Sequence, residues 1–318
     1  MSMQTIGLLI DFKNEKVKDA NFGLATVANG SDRELYALVV DAAAEEAKTV
    51  LSGYGVAHVL DIHTGNDGWN PAVQAEAVIS AMQQYGITDL IGLTSPTGRE
   101  LLPRIAAGLN APLIMDCTAI DLGRKRVKTS QYSGKTNAAI GLTGERFIYG
   151  LRANVISPVA AETSADIIDF PYSADPDNTY QVLETRTDAS VGQFLAEADV
   201  IFSGGRGMKN GENFQMIFDC ARHIDASVGA SRVAVDNGWV PYAMQVGQTG
   251  VKVNPKVYLA LGISGSIQHF AGMKTAETII AVNTDENAAI MANCDYYAVG
   301  DLFEILPELE KALAATRS

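Results

Sequence analysis

The sequence has no CxxC pair, and its three cysteines, Cys117, Cys220 and Cys294, stand far apart. That excludes a disulfide scaffold and a thiolate zinc site, and suits a reducing compartment. No apolar run approaches the ~20 residues of a membrane helix. The start, MSMQTIGLLIDFKNEK, lacks a basic leader, so its short run Ile6 to Ile10 reads as a strand rather than a signal peptide. The expected setting is a bacterial cytoplasm, or a mitochondrial matrix after import. Bases are few: 24 Lys and Arg against 37 Asp and Glu give a net charge of -13. Such a chain should not bind a nucleic-acid backbone non-specifically, although one nucleotide in a local basic pocket stays possible. HExxH, GxSxG and SxxK are all absent, which removes the common hydrolase constellations. GxGxxG is missing too, and with it the usual dinucleotide fingerprint. Gly134-Lys135-Thr136 resembles the tail of a P-loop, but the earlier glycine that motif requires is Thr129.

The chain is nevertheless rich enough for real cores, with 47% hydrophobic residues over 318 positions. Its first half alternates short apolar strands with helices. Strands are expected at Thr5 to Ile10, Val56 to Leu60 and Asp89 to Leu93. Ser31 and Glu34 fit a capping box, so a helix is expected through Leu35, Leu38, Val39, Ala42 and Ala43. Further helices are expected from Pro71 to about Tyr85 and from Gly98 to Leu109. That alternation implies a parallel sheet covered on both faces. Leu113 to Met115, Ala138 to Leu142, Phe147 to Tyr149 and Asn154 to Ile156 read as an antiparallel extension. Residues 160–192 carry seven acids and one base, and read as a solvated, partly extended connector or an acidic docking surface. The expected domains are therefore 1–187 and 188–318.

The second half alternates again. Val200 to Phe202, Val257 to Leu261 and Thr278 to Val282 read as strands. Gly211 to Ile224 and Asp301 to Leu313 read as helices. The last of these is amphipathic, either to pack on the core or to dock a partner. Two loops, Ser203 to Gly207 and Gly262 to Ser266, follow apolar strands and combine glycine with Ser or Arg. Each is either a tight turn or a cradle whose amides meet a phosphate. Arg206 and Arg232 lie close by in sequence and favour an anion. His269 follows the second loop. His58, His63 and His223 lack partners at metal-ligand spacing and read as structural.

Longer stretches then carry a family resemblance. SGGRG at 203–207, VGASRVAVDNGWVP at 228–241, QVGQTG at 245–250, LALGISGSIQHFAGMK at 259–274, IIAVNTDENAAI at 279–290 and VGDLFEILPEL at 299–309 stand in one order and spacing. Together they resemble the α subunit of electron transfer flavoprotein. LTSPTGRELLPRIAAGL at 93–109 and YSGK at 132–135 extend a weaker likeness into the first half. The resemblance implies an α/β fold: an N-terminal adenine-nucleotide-hydrolase-like, Rossmann-type domain that packs on a β subunit, and a C-terminal doubly wound domain that binds FAD. It implies a heterodimer whose β subunit holds AMP or a second FAD.

By the same resemblance, Arg206 and Ser264, Gly265, Ser266, Ile267, Gln268 and His269 match positions around the pyrophosphate and ribityl chain. Ser231 matches another flavin contact. Val246, Gly247, Gln248 and Thr249 match the segment facing the ring system, with Thr249 near N5. Arg232 matches the arginine over the ring, His269 the histidine near O2, and Asn283 and Asp301 the adenosine end. Arg232, His269 and Thr249 would tune the redox potential. No metal is implied. The expected role is an electron carrier, rather than a substrate-converting enzyme, between flavoprotein dehydrogenases and a quinone reductase or other acceptor. A bifurcating flavoprotein α subunit and a non-redox nucleotide-binding module are the competing readings.

Overall fold

The structure is a computed structural model, described over residues 3–13, 15–65, 69–131, 136–173, 183–184 and 195–315. The chain divides into two compact units, residues 1–131 with 137–186, and residues 187–318 with 132–136. The YSGK stretch, the P-loop-like Gly134-Lys135 and the acids Asp175, Asp177 and Asp188 lie outside the described residues.

The first unit runs β1 (Gln4–Leu9), a small hairpin of β2 (Phe12–Lys13) and β3 (Lys16–Val17), α1 (Ala20–Ala28), β4 (Arg33–Val40), α2 (Ala44–Leu51), β5 (His58–His63), α3 (Pro71–Gln84), β6 (Asp89–Leu93) and α4 (Pro96–Gly108). It continues with β7 (Leu113–Asp121), β8 (Arg126–Gln131), β9 (Thr136–Gly141), β10 (Phe147–Leu151) and β11 (Asp166–Pro171). One sheet joins them in the order β11-β5-β4-β1-β6-β10-β7-β8-β9. Its centre is parallel, as the alternation of strands and helices requires. Successive residues of β1 serve opposite faces. Ile6 and Leu8 pack with α1 and α2, while Leu9 packs with α3 and α4. The sheet is therefore covered on both sides, as in Rossmann-type folds.

Sequence and structure agree best where local chemistry is explicit. Asn70 caps α3 by accepting from the Val73 amide, with Pro71 in the first turn. Ser95 caps α4 by accepting from the Gly98 amide, which starts that helix two residues before the expected point. The expected helix from Ser31 is wrong. Residues Arg33–Val40 form β4, and α1 lies ahead of them. RELYALVV is apolar on both faces because its strand is buried, and such a run satisfies helical spacing as well as an extended one. The antiparallel extension is also partly corrected. β7 and β8 are antiparallel, but β10 inserts parallel between β6 and β7, and Asn154 to Ile156 form a turn.

Asp89 is completely buried at the start of β6. It accepts from Gln4 Nε2 at 2.7 Å, Lys125 Nζ at 2.6 Å, Thr88 Oγ1 at 2.9 Å and Tyr149 at 3.2 Å. One carboxylate thus ties β1, β6 and β10 to the turn before β8. A buried charge of this kind persists because it is fully partnered.

The acidic connector is not wholly a linker. Its residues 166–171 form β11, which pairs with β5. A long acidic edge conceals a strand because its charges are satisfied across the ladder. His58 Nδ1 meets Asp166 at 2.5 Å and Nε2 meets Glu34 at 3.2 Å, while His63 Nε2 lies 3.2 Å from Asp61 and 3.6 Å from Asp169. Both histidines are structural, and so is His223, 3.8 Å from Glu310.

Burial acts to lower the His58 pKa, but its hydrogen bonds to the Asp166 and Glu34 carboxylates outweigh it, and the net direction is up. A raised pKa means the pairing contributes fully below the ordinary histidine value and is lost as pH climbs through the raised one. The β11 amides are therefore expected to exchange more slowly at pH 6 than at pH 8 after correction for intrinsic rates. The effect should be at most about fivefold, given solvent screening of a partly exposed pair. Asp166→Asn should flatten that pH dependence; hydrogen exchange read by NMR or mass spectrometry checks it.

Candidate functional site

The second unit holds a five-stranded, wholly parallel sheet. Its elements are β12 (Val200–Gly204), α5 (Phe214–Arg222), β13 (Ser227–Ala230), α6 (Arg232–Asp236), β14 (Val257–Leu261), α7 (Ile267–Met273), β15 (Thr278–Asn283), β16 (Tyr296–Val299) and α8 (Leu302–Ala315). β13 and β16 are strands that the sequence reading missed. β13 is short and rich in small residues, and the side chains of β16 are exposed. The amphipathic α8 packs against α5, with Leu302 and Leu306 buried in the core.

The strand order is β13-β12-β14-β15-β16. The chain leaves β12 to one side for β13, then crosses back to β14 on the other. Such a reversal opens a crevice beyond the carboxyl ends of the two central strands, where open α/β sheets bind ligands. The two glycine loops suspected from the sequence follow those two strands.

Their backbones touch. The Gly205 amide donates to the Leu261 carbonyl at 2.8 Å, and the Gly207 amide to the Gly262 carbonyl at 3.0 Å. A β-carbon at Gly205 would sit 2.3 Å from the Gly262 carbonyl oxygen. Gly262 has φ +62 and faces the Gly207 Cα, so both its shape and its backbone angle exclude side chains. Arg206 extends from this junction, exposed, and among the described residues no acid pairs with it.

The other positions suggested by the family resemblance lie on the same edge. Ser231 follows β13, and its amide donates to the Gly204 carbonyl at 2.9 Å. Arg232 begins α6, exposed, with Nε 3.2 Å from Asp236. The segment Val246 to Thr249 is moored twice. The Val246 amide bonds the Ala230 carbonyl at the end of β13, and the Gln248 amide bonds the Gln268 carbonyl at 2.8 Å. Thr249 is exposed; its hydroxyl accepts from Gln245 at 2.9 Å, and its carbonyl accepts from Tyr242. Ser264 to Gln268 are largely exposed beyond β14. Ser266 caps α7 and accepts from the His269 amide. Asn283 ends β15, donating to the Ile263 carbonyl and accepting from the Asp285 amide. Asp301 precedes α8 and accepts from the Phe303 amide.

Among the described residues of this unit, three buried side-chain polar atoms have no hydrogen-bond partner at good geometry: Ser203 Oγ, Ser231 Oγ and His269 Nδ1. Buried polar atoms are ordinarily paired, so such a set marks a place prepared for a ligand. His269 is 5% exposed, and burial holds its pKa down to about 4. The imidazole is consequently neutral at pH 7 and can donate a hydrogen bond without carrying charge. Glycine loops for a pyrophosphate, an uncommitted arginine and unpaired donors together suit a dinucleotide.

Comparison with known proteins agrees with this geometry. Residues 7–175 match the electron transfer flavoprotein domain, and residues 194–274 match the electron transfer flavoprotein FAD-binding domain. A Caenorhabditis elegans protein described as a probable mitochondrial electron transfer flavoprotein subunit alpha is 35% identical over 300 residues, covering 94% of this chain and 90% of its own. The chain belongs to the electron transfer flavoprotein α-subunit family. The Pseudomonas aeruginosa α subunit is 40% identical over 224 residues, covering 68% of this chain and 70% of its own. The Mycobacterium leprae α subunit is 37% identical over 227 residues, or 69% of each chain. The second unit carries the FAD-binding domain of an electron transfer flavoprotein, and the glycine junction at the head of β12 and β14 lies within the matched segment.

The family resemblance had not drawn attention to Ser203 or Tyr258. Ser203 stands inside the SGGRG stretch, so its position was visible. Tyr258 is one hydroxyl in the apolar run VYLAL, and only the fold brings it against His269.

Gly205→Ala is expected to force the two loops apart and to weaken FAD binding by at least about tenfold, the equivalent of ~1.4 kcal/mol. Flavin fluorescence titration checks this. Wild-type affinity in the variant would show that the close approach is dispensable.

Proposed function

We propose that this chain, paired with an electron transfer flavoprotein β subunit, holds FAD along the carboxyl edge of its second sheet and relays electrons from flavoprotein dehydrogenases to a quinone reductase or another acceptor. A nucleotide, AMP or a second FAD, would belong to the β subunit. The observation that carries the reading is the meeting of two glycine loops at the strand-order reversal, beside an arginine that no acid pairs with among the described residues.

The bound cofactor would supply the redox chemistry, and the protein would set its potential. Arg206 and the amides around Gly205 and Gly262 would neutralise the pyrophosphate. Ser231 Oγ would complete its hydrogen bonding on the flavin. Asn283 and Asp301 would hold the adenosine end. Val246 to Thr249 would form a wall against the ring system, with the doubly moored backbone fixing its distance. Arg232 would place positive charge over the ring. Asp236 now holds that guanidinium, so reaching the ring means exchanging one exposed ion pair for another contact. Exposed pairs are weak, and the exchange costs little. His269 would donate a neutral hydrogen bond near O2. Both groups favour the negative charge that reduction brings, more so where water is excluded.

The first test is a visible spectrum of the chain co-purified with its β subunit, followed by stepwise dithionite reduction. Flavin bands that bleach reversibly are expected; a colourless heterodimer would refute the reading. Arg232→Ala is expected to lower the midpoint potential of the first electron by on the order of 60 mV, a tenfold change in a one-electron equilibrium. Redox titration checks it, and an unchanged potential would remove Arg232 from the ring.

A further inference from the structure

The loop that carries Thr249 is closed on itself. Val246 pairs with Val251 in a parallel bridge, and the Val251 amide donates to the Gln245 carbonyl at 2.7 Å. Gln245 is fixed at the root of this loop. It bridges Ala230 at the end of β13, its backbone amide donates to the Tyr242 carbonyl at 2.9 Å, and the residue is only 3% exposed. Gly250 packs against it so closely that a β-carbon there would stand 2.2 Å from the Gln245 carbonyl oxygen. From this root the Gln245 side chain reaches Thr249, and its Nε2 donates to Thr249 Oγ1 at 2.9 Å. The Tyr242 hydroxyl donates to the Thr249 carbonyl. Two side chains thus hold one exposed threonine, one by its hydroxyl and one by its backbone.

A threonine hydroxyl has one hydrogen and two lone pairs. An amide nitrogen only donates, so Gln245 fills a lone pair of Thr249 Oγ1 and leaves the hydroxyl hydrogen unspent. Among the described residues no group accepts that hydrogen. Were the amide oxygen in the same place, the hydroxyl would give its hydrogen to Gln245 and could offer a ligand only lone pairs. A buried glutamine is costly unless it is hydrogen-bonded, and this bond is the one its side-chain nitrogen makes. The arrangement therefore spends a buried donor on an exposed hydroxyl at the wall formed by Val246 to Thr249.

We propose that Gln245 is a positioning residue: its side-chain amide orients the Thr249 hydroxyl as a hydrogen-bond donor to an acceptor atom of the bound flavin ring, while Tyr242 holds the Thr249 backbone in place. The inference rests on the flavin reading. Thr249 would touch the ring, and Gln245 acts only through it. A donor aimed at a ring atom whose electron density rises on reduction favours the reduced form. One that is already oriented needs no rearrangement when the electron arrives. Gln245 would thus influence the potential of a cofactor that its side chain does not reach.

The decisive measurement is redox titration of the flavin in the αβ heterodimer for wild type, Gln245→Met, Thr249→Val and the double variant. Gln245→Met keeps the length of the side chain and removes the donor. It is expected to lower the equilibrium constant for uptake of the first electron about fivefold, the equivalent of one ordinary hydrogen bond. Thr249→Val should lower it at least as far, and the double variant no further than Thr249→Val alone. Thr249→Ser, which keeps the hydroxyl, should keep the wild-type potential and still show the full loss when Gln245→Met is added. An unchanged potential in Gln245→Met, or losses that add in the double variant, would overturn the proposal, because a packing role would not pass through the Thr249 hydroxyl. Should Gln245→Met not fold, NMR of the Gln245 side-chain amide decides. Thr249 is exposed, so Thr249→Val leaves the core intact. One amide hydrogen is expected to exchange slowly in wild type and faster in Thr249→Val, with or without flavin; equal exchange in the two would overturn the hold on Thr249. A heterodimer with the protected amide and no flavin affinity would refute the cofactor reading while leaving that hold standing. Bound flavin whose potential ignores Gln245 would sink the inference alone.

Discussion

Two loops leave adjacent parallel strands in the second unit and run against each other with no side chain between them. The Gly205 amide bonds the Leu261 carbonyl at the end of β14, and the Gly207 amide bonds the carbonyl of Gly262, which turns through a left-handed angle. Much of the site depends on that contact. It sets how far Arg206 projects and places the end of β12 beside the end of β14. Its position follows from the strand order, because only where consecutive connections diverge do two loops flank one crevice. Glycine is required here by a steric conflict with backbone, which no side-chain rearrangement can relieve.

Around the junction, the site combines exposed charge with buried neutral groups. The arginines Arg206 and Arg232 stand in solvent, where charge is inexpensive to maintain and can meet an anionic ligand. His269 and Tyr258 lie within the core, where charge would be costly, and both are held neutral. An electron carrier has reason to use both. Exposed cations would offset the charge of a diphosphate, while buried neutral donors would act at short range with little reorganisation. The first unit handles its buried charge differently. Asp89 is surrounded by four donors and left with nothing to offer a ligand, which is the pattern of a structural tie.

The two units also differ in how readily their strands could be read. In the second, each expected strand is a short apolar run, two of them closed by a glycine loop, and the expected bounds at Val257 to Leu261 match the strand. In the first, β4 reads as a helix because a strand buried on both faces has no two-residue alternation to display. β11 reads as a linker because its acids are balanced by His58 and His63, neighbours in space but more than 100 residues away in sequence. The local signal was sound where a proline acted within the first turn, as at Pro71, while the start of α4 lies at Ser95-Pro96 rather than at the expected Gly98.

By itself the sequence determined the alternating architecture, the acidic balance, the two glycine loops and the family motifs, since each is written in neighbouring residues. It also placed the suggested cofactor contacts, from Arg206 to Asp301, in order along the chain. Only the tertiary structure decided that these positions share one edge of one sheet, because strand order is not encoded in any single segment. Only the structure joined Tyr258 and His269. Their hydrogen bond crosses between a strand and a helix, and a buried hydroxyl declares its partner through proximity, which sequence spacing does not record.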